Sequence, residues 1–498
     1  VSPLTPDHVN PEAPWPQIEA LARATAAAGK LLVERLASYP AYALDGERWL
    51  APELRTPVLR ATDSEGFAHT DRWCPGGLHP FPELESPALR ADPELGRILD
   101  KGRAGEDLSE AEIIRLFEAR GGDYAAVCAA ADGLRAEVNG EVVTYVVTRN
   151  INYTNVCYFR CGFCAFSKGK LSENLRGPAY DLGLEEITRR VREAWARGAT
   201  EVCMQGGIHP DYDGETYLRI CRAVKQAVPG IHVHAFSPLE VWHGAETLGL
   251  ALPEFLAALK DAGLRSLPGT AAEILDDEIR AVICPDKVTT DQWLEVMAAA
   301  HAAGLRTTST IMYGHVDGPR NWARHLLRLR RLQVLSGGFT EFVPLPFVHM
   351  EAPIYLKGRA RRGPTAREAV LMHAVARLAL HPHIRNIQTS WVKMGPEGAA
   401  ACLEAGANDL GGTLMNETIS RAAGAAHGQE MEPWRMEALI RGLGRTPAQR
   451  TTLYGRPPEA QVEASFAAPA LAPVQTSAPR RRRRDRTGRD LVRPAAAD

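Results

Sequence analysis

The sequence lacks the features of membrane and secreted proteins. No apolar run in its 498 residues approaches the roughly 18 that a transmembrane helix needs, and residues 1–6 have neither the basic flank nor the apolar core of a secretory signal. Cysteine is scarce: nine in so long a chain, an odd number, exclude a disulfide scaffold. We therefore expect a cytoplasmic protein with reduced thiols. Because residue 1 is Val, the sequence is either an alternative start or a piece of a longer protein.

Net charge is nearly absent as well. The 60 acidic residues almost balance the 58 Lys and Arg residues, so the chain as a whole shows no preference for a polyanionic partner. Residues 479–498 are an exception, with eight Arg against three Asp. Such a run can attract nucleic acid. A solvated terminus that aids solubility is the simpler interpretation, so we expect neither a nucleic-acid nor a membrane partner.

The N-terminal part of the sequence shows helical patterns around an irregular zone. A helix is predicted over residues 18–36, and residues 41–108, rich in Pro and Gly, are interpreted as a linker into a second unit. A further helix is predicted at about 109–119, because Ser109 and Glu112 have the spacing of a capping box.

From about residue 140 to 415, short apolar runs alternate with amphipathic segments. Eight strand candidates in this length match a (β/α)8 barrel, although an open doubly wound sheet fits the alternation almost as well. The tail from residue 446 is rich in Ala and Pro and is expected to be disordered. The predicted strands are residues 142–148, 201–205, 231–236, 264–267, 307–312, 340–343, 384–389 and 407–410.

Three cysteines directly after the first predicted strand carry the strongest chemical signal. Cys157, Cys161 and Cys164 have C-x3-C-x2-C spacing. Three thiolates on one loop can hold zinc or an iron–sulfur cluster. Structural zinc takes four protein ligands, and the next candidates, Cys203 and His209, lie some forty residues on. A 4Fe-4S cluster on three cysteines leaves one iron open for another ligand. A non-catalytic metal module remains an alternative.

The cysteine motif, with Phe163 before its last cysteine, resembles the signature of radical S-adenosylmethionine (SAM) enzymes. The resemblance implies a 4Fe-4S cluster whose open iron binds SAM, and cleavage of SAM to a 5′-deoxyadenosyl radical. It also implies an α/β fold, a (β/α)8 TIM-type radical SAM barrel with the cluster at its C-terminal mouth. We expect an N-terminal helical extension and a disordered, Arg-rich C-terminal tail around it.

Further motifs resemble one branch of this superfamily, the CofH-type 5-amino-6-(D-ribitylamino)uracil–L-tyrosine 4-hydroxyphenyl transferases of FO synthase. The resemblance covers about residues 75–440. It implies transfer of the 4-hydroxybenzyl unit of L-tyrosine to 5-amino-6-(D-ribitylamino)uracil in deazaflavin, coenzyme F(420), biosynthesis, with an electron donor as partner. The stretches that carry it are residues 157–168, 204–210, 237–240, 267–275 and 310–315.

Residues 10–70 resemble the C-terminal end of the companion lyase, CofG, of fused FO synthases. Only one cluster motif is present, so we expect the lyase barrel and its ring-closing activity to be absent. A CofG-type lyase, separate or upstream, is then an expected partner. The expected division is a lyase remnant plus linker, a helical lead-in, the barrel and the disordered tail, at residues 1–74, 75–139, 140–445 and 446–498.

The resemblance also implies site residues, which barrel position supports because strand ends at the C-terminal face carry function. Gly206 and Gly207 would form the SAM methionine turn. Structural roles such as helix capping remain open for the polar residues. The other cofactor candidates are Phe163, Ser237, Glu240 and Glu273; the substrate candidates are Tyr313, His315, Trp391, Lys393, Asn408 and Asp409; the catalytic candidates are Tyr313, His209 and Glu417.

A close alternative is an aminofutalosine-type radical SAM synthase of menaquinone biosynthesis. Those enzymes share the barrel and the Gly-Gly turn but take other substrates. The lyase-like segment at residues 10–70 favours the deazaflavin interpretation, because it implies descent from a fused FO synthase.

Overall fold

The structure, a computed structural model, describes residues 17–84, 92–168, 178–476 and 493–494. Its N-terminal part is helical. As predicted, Ser109 and Glu112 form a capping box, each side chain accepting a hydrogen bond from the other's backbone amide. The helices are α1 (Ile18–Ala27), α2 (Pro40–Leu44), α3 (Gly46–Trp49), α4 (Pro52–Arg60), α5 (Pro93–Arg103), α6 (Glu110–Phe117) and α7 (Gly122–Asn139).

Two N-terminal predictions need correction. The helix predicted over 18–36 ends at Ala27, because Gly29 adopts a left-handed φ of +70° that a continuing helix does not contain. The zone 41–108 is irregular over only part of its described length. It holds α2 to α5, and its Trp73 is buried in the same core as the barrel.

Strands and helices alternate from residue 142 onward, and the eight predicted strands are confirmed. Two further features are a break at Val147, which divides the first strand, and an additional C-terminal strand. The strands are β1 (Val142–Val146), β2 (Thr148–Ile151), β3 (Glu201–Met204), β4 (His232–Ala235), β5 (Leu264–Leu267), β6 (Arg306–Tyr313), β7 (Phe339–Pro346), β8 (Asn386–Ile387), β9 (Asp409–Gly412) and β10 (Thr446–Arg450).

The strands form a ring. β2 to β8 make one parallel sheet in chain order, and β1 pairs in parallel with β9 on one side and β10 on the other. Two single parallel bridges close the ring: Gln388↔Asp409 joins β9 to the β8 end of the larger sheet, and Arg149↔Met415 joins the segment just after β9 to β2. The strand order therefore supports the (β/α) barrel and not the doubly wound sheet.

The helices after residue 184 cover the outside of the ring. Within α16 every residue except Arg367 is buried, since the helix lies between the barrel and the N-terminal helices α5 to α7. Among the described helices, none is long and apolar enough to cross a membrane. They are α8 (Leu184–Ala196), α9 (Gly214–Ala227), α10 (Pro238–Leu248), α11 (Leu252–Asp261), α12 (Asp277–Ile283), α13 (Thr290–Ala302), α14 (Pro319–Ser336), α15 (Pro353–Leu356), α16 (Ala366–Leu380), α17 (Trp391–Leu403), α18 (Ile419–Ala422), α19 (Pro433–Gly442) and α20 (Glu459–Phe466).

The prediction that the tail is disordered from residue 446 onward is wrong for the first part of that segment. β10 pairs with all five residues of β1, and Arg450 at its end is buried. Helix α20 follows and packs on α19. The composition of this segment hid the strand, because its pairing partner lies 300 residues earlier in the chain. The arginine run 480–484 lies outside the described residues.

Candidate active site

A cavity of about 410 Å³ runs along the barrel interior. At one end it is lined by the loop after β2, which carries the three cysteines and which we call the cysteine loop (residues 152–168). At the other end it is lined by Arg450 of β10 and by Glu201, the first residue of β3. The cavity thus connects the C-terminal mouth of the barrel with its N-terminal floor.

Backbone hydrogen bonds hold the cysteine loop in place. The amide of Cys157 donates to the carbonyl of Lys168 at 3.3 Å, which closes the loop on itself. The amide of Gly162 donates to the carbonyl of Ile283 at 2.7 Å, and its carbonyl accepts from the amide of Ile354 at 2.7 Å. Contacts with α12 and α15 therefore fix the middle of the loop, where the cysteines lie.

The three cysteine thiols all line the cavity. Burial raises the pKa of each, and the nearby ammonium of Lys287 acts in the opposite direction. Among the described residues, no three Cys, His, Asp or Glu side chains are grouped as ligands of a single metal ion. A 4Fe-4S cluster instead takes one thiolate on each of three irons. The donor set, three thiols around one cavity beside a cation, fits such a cluster.

The Gly206-Gly207 turn lies against the cysteine loop. The amide of Gly207 donates to the carbonyl of Thr154 at 2.8 Å. A Cβ on Gly207 would lie 2.3 Å from the carbonyl oxygen of Val156, and one on Gly206 would lie 2.4 Å from the ring of Tyr153. Glycine is thus required at 207 by the close approach of two backbone segments and at 206 by the ring of Tyr153. This approach brings the turn and the cysteines to the same end of the cavity.

Glu240 supports this turn from below. One carboxylate oxygen accepts from the amide of Gly206 at 3.1 Å and from the hydroxyl of Tyr153. The other accepts from the amide and the hydroxyl of Ser237, at 2.7 and 2.6 Å. Burial raises the pKa of Glu240, while these donors oppose the shift. Ser237 and Glu240, which were both predicted as cofactor residues, line the cavity. Their hydrogen bonds, however, hold the glycine turn and the start of α10 in place.

Glu273 and Phe163 meet at a residue that sequence reasoning missed. The ammonium of Lys287 donates to Glu273 at 2.6 Å and lies 5.6 Å from the ring centroid of Phe163. All three line the cavity near the cysteines. Glu273 has a left-handed φ of +45°, a strained conformation for a residue with a side chain. No local pattern marks Lys287, which reaches this group from the loop after α12.

Only some of the predicted substrate and catalytic residues line the cavity. Trp391, Lys393 and Glu417 line it. The indole nitrogen of Trp391 donates to the carbonyl of Gly412 at 2.9 Å, and the ammonium of Lys393 donates to the hydroxyl of Ser420. These side chains form one side of the cavity at its C-terminal end.

The other predicted residues lie elsewhere, because neighbouring elements bury them. Tyr313 packs edge-on against Trp322, with ring centroids 5.9 Å apart. His315 lies 3.1 Å from the carbonyl of Met312. Asn408 accepts from Arg377 at 2.7 Å, and His209 stacks on Tyr212 at 5.0 Å. Asp409 pairs with Arg450. None of these five predicted side chains lines the cavity.

The N-terminal segment also reaches this end of the barrel. The amide of Gly76 donates to the carbonyl of Lys393 at 2.6 Å, and its carbonyl accepts from the amide of Ala426 at 2.9 Å. Gly76 has a φ of +77°, and a Cβ there would lie 2.9 Å from the Cα of Ala425. Residues 74–77 therefore support the backbone that carries Lys393.

Arg450 and Glu341 form a buried polar group that sequence reasoning also missed. Arg450 donates to Asp409 and, at 3.1 Å, to Glu341, which also accepts from the hydroxyl of Tyr454. Burial, with the charge of Asp409 adding, raises the pKa of Glu341 to about 7 against the effect of Arg450. Glu341 lies at an inward position of a predicted strand, so the sequence could have indicated a carboxylate inside the barrel. No sequence pattern indicated Arg450, because it lies in the segment that was predicted to be a disordered tail.

Two family models match the chain. The model for the radical SAM superfamily matches residues 151–329 and so includes the cysteine loop. The model for the CofH/MqnC C-terminal region matches residues 336–461, from before β7 into α20. Together they cover β3 to β10, while β1 and most of β2 precede the first match.

Relatives agree with these matches, and a solved structure agrees in fold. An FO synthase from Streptomyces avermitilis is 47% identical over 525 residues, covering 95% of this chain and 60% of that protein. A 5-amino-6-(D-ribitylamino)uracil–L-tyrosine 4-hydroxyphenyl transferase from Methanopyrus kandleri is 52% identical over 328 residues, covering 66% of this chain and 88% of that protein. The crystal structure of methylornithine synthase (PylB) superposes with a TM-score of 0.55 at 19% identity, covering 74% of this chain and 99% of that one. The chain thus spans about 60% of the length of the FO synthase.

Proposed function

Because the chain belongs to the CofH-type family of radical SAM enzymes, we propose that it joins the 4-hydroxybenzyl unit of L-tyrosine to 5-amino-6-(D-ribitylamino)uracil. The observation that carries the proposal is the 52% identity to a transferase named for this reaction, across 88% of its length. The product would enter the biosynthesis of FO, as the name of the Streptomyces relative suggests.

Cys157, Cys161 and Cys164 would hold the cofactor, a 4Fe-4S cluster. When bound, such a cluster supplies an electron that cleaves SAM at its open iron. The protein's part is to hold the three thiolates in one cavity and to balance their charge, for which Lys287 lies close to each of them. An external electron donor would supply that electron as the proposed partner of the reaction.

SAM would lie between the cysteine loop and the glycine turn. The backbone of Gly206 and Gly207 is open to a ligand at the cavity surface, and Glu240 fixes the orientation of the Gly206 amide. Phe163 offers an aromatic face to the adenine, and the Glu273–Lys287 pair lies beside it. In this arrangement Glu240 is a positioning residue and makes no contact with SAM.

L-Tyrosine would bind at the same end of the cavity, next to SAM. Lys393 provides a cation for its carboxylate, and Trp391 provides an aromatic wall for its ring. The apolar side chains along β7, Val343 and Leu345, exclude water from the reacting atoms. A CofG-type lyase is the proposed partner that uses the product.

An aminofutalosine-type synthase remains the second candidate, because the description of the C-terminal family model includes MqnC as well as CofH. The two functions differ in substrate. Only the transferase requires tyrosine for turnover, so dependence on tyrosine separates them.

The test is an anaerobic assay of the reconstituted chain with SAM and dithionite, in the presence and absence of tyrosine and the ribitylaminouracil. We expect near four irons per chain, absorbance near 400 nm that responds to SAM, and 5′-deoxyadenosine formation that tyrosine stimulates. One zinc per chain would support the metal module. Deoxyadenosine formation that ignores tyrosine would contradict the transferase.

A further inference from the structure

The N-terminal end of the cavity is built of polar side chains that none of the roles above uses. We call it the cavity floor and define it by Thr148, Glu201, Glu341, Arg450 and Thr452, all of which line the cavity. Each is more than nine-tenths buried. The floor lies at the opposite end of the strands from the cysteine loop.

Strand register explains why these side chains meet. Val146 of β1 pairs with Arg450 of β10, and Thr148 pairs with Glu201 across β2 and β3. Side chains two residues apart on a strand point to the same face. Thr148 and Thr452, which come two residues after the β1–β10 pair, also line the cavity and so lie on the inner side of the barrel.

Two of the floor side chains have buried hydroxyls without a protein partner. The hydroxyls of Thr148 and Thr452 are buried and make no hydrogen bond within the described ranges. Glu201, which is only 5% exposed, lines the cavity beside them. A buried polar atom left without a partner is costly. Two such hydroxyls on residues that line one cavity, next to the acidic residues Glu201 and Glu341, indicate a ligand with several hydrogen-bonding groups.

The charges at the floor select the kind of ligand. Arg450 is the only cation among the floor residues, and its guanidinium already bonds to Asp409 and Glu341. Glu201 adds a further carboxylate. An anionic group such as a carboxylate or a phosphate is disfavoured here, because no free cation faces it. Hydroxyl groups fit, since each can donate to a carboxylate and accept from a threonine.

We propose that the cavity floor binds the hydroxyl groups of a neutral polyol chain. The identity of that chain rests on the proposed function, under which it is the ribityl chain of the uracil substrate. The uracil ring then lies between the floor and the tyrosine and SAM end of the cavity. The floor residues determine specificity for the ribitylated substrate.

The test compares two ligands by anaerobic isothermal titration of the reconstituted enzyme. The ligands are 5-amino-6-(D-ribitylamino)uracil and 5,6-diaminouracil, which lacks the ribityl chain. In the double variant T148V/T452V, two hydrogen bonds are lost, so we expect Kd for the ribityl compound to rise about 30-fold. We expect E201Q to raise it about 10-fold. Neither change should alter Kd for 5,6-diaminouracil.

Thr200→Val is the matched control. Its hydroxyl is also buried without a partner in the described structure, but it does not line the cavity. We expect wild-type affinity for both ligands. The proposal is overturned if the wild-type enzyme binds both ligands alike, if the floor variants weaken both equally or neither, or if T200V has the same effect. If the double variant does not fold, the Kd values of E201Q for the two ligands test the proposal in its place. A wild-type enzyme that prefers the ribityl compound but forms no tyrosine adduct contradicts the proposed function alone.

Discussion

Gly207→Ala tests how the glycine turn and the cysteine loop work together. The new Cβ would lie 2.3 Å from the carbonyl oxygen of Val156, where ordinary contact begins at about 3.4 Å. The two segments must therefore separate by about 1.1 Å, since the atom in the way is backbone. A displacement of about 1 Å between reacting groups costs on the order of 100-fold in rate. We expect SAM cleavage to fall by about 100-fold.

The assay measures 5′-deoxyadenosine per reconstituted cluster, with iron content determined on the same sample. Gly133→Ala is the control, because Gly133 lies inside α7 with nothing within 4 Å of a new Cβ. It should keep wild-type activity and gain about 0.5–1 kcal/mol in unfolding free energy. If Gly207→Ala keeps a full cluster and cleaves SAM within about threefold of wild type, the close approach of the two segments has no role in SAM binding.

Three further predictions concern stability. Arg450→Met leaves buried carboxylates unpaired and should lower the free energy of urea unfolding by about 3–5 kcal/mol. The control Arg441→Met breaks an exposed ion pair and should lower it by at most about 0.5 kcal/mol. Equal effects of the two variants would contradict the buried network. Deleting residues 1–50, whose described helices bury no side chain, should leave the melting temperature unchanged. Deleting residues 1–81 also removes the buried Trp73 and should lower the free energy of unfolding by about 4–6 kcal/mol. Burial lowers the pKa of His325 to about 3, so stability is lost as pH falls below about 6.5, and His325→Gln should reduce the loss between pH 7 and pH 5 by about 2 kcal/mol. An unchanged pH dependence would show that His325 is not held neutral.

The parts of the site that could be predicted depend on contacts local in sequence. The spacing of Cys157, Cys161 and Cys164 and the position of Gly206-Gly207 after a strand identified the mouth of the barrel. The alternation of apolar runs predicted the strands themselves, because parallel strands buried on both faces read as continuous apolar runs.

The rest depends on contacts that no local pattern reports. Lys287 reaches Glu273 and Phe163 from a loop after α12, and β10 pairs with β1 across 300 residues of chain. Tyr313 and His315 were assigned to the cavity because they follow a strand. Both are buried outside it, since a residue at a strand end can face either side of the ring.

The central claim is that this chain transfers the 4-hydroxybenzyl unit of tyrosine to the uracil. The most direct measurement is mass spectrometry of the uracil product formed with tyrosine uniformly labelled with ¹³C in its ring. The account predicts a ribitylaminouracil adduct that carries the whole labelled ring, together with about one 5′-deoxyadenosine per adduct. Deoxyadenosine accumulating while the uracil stays unlabelled would contradict it.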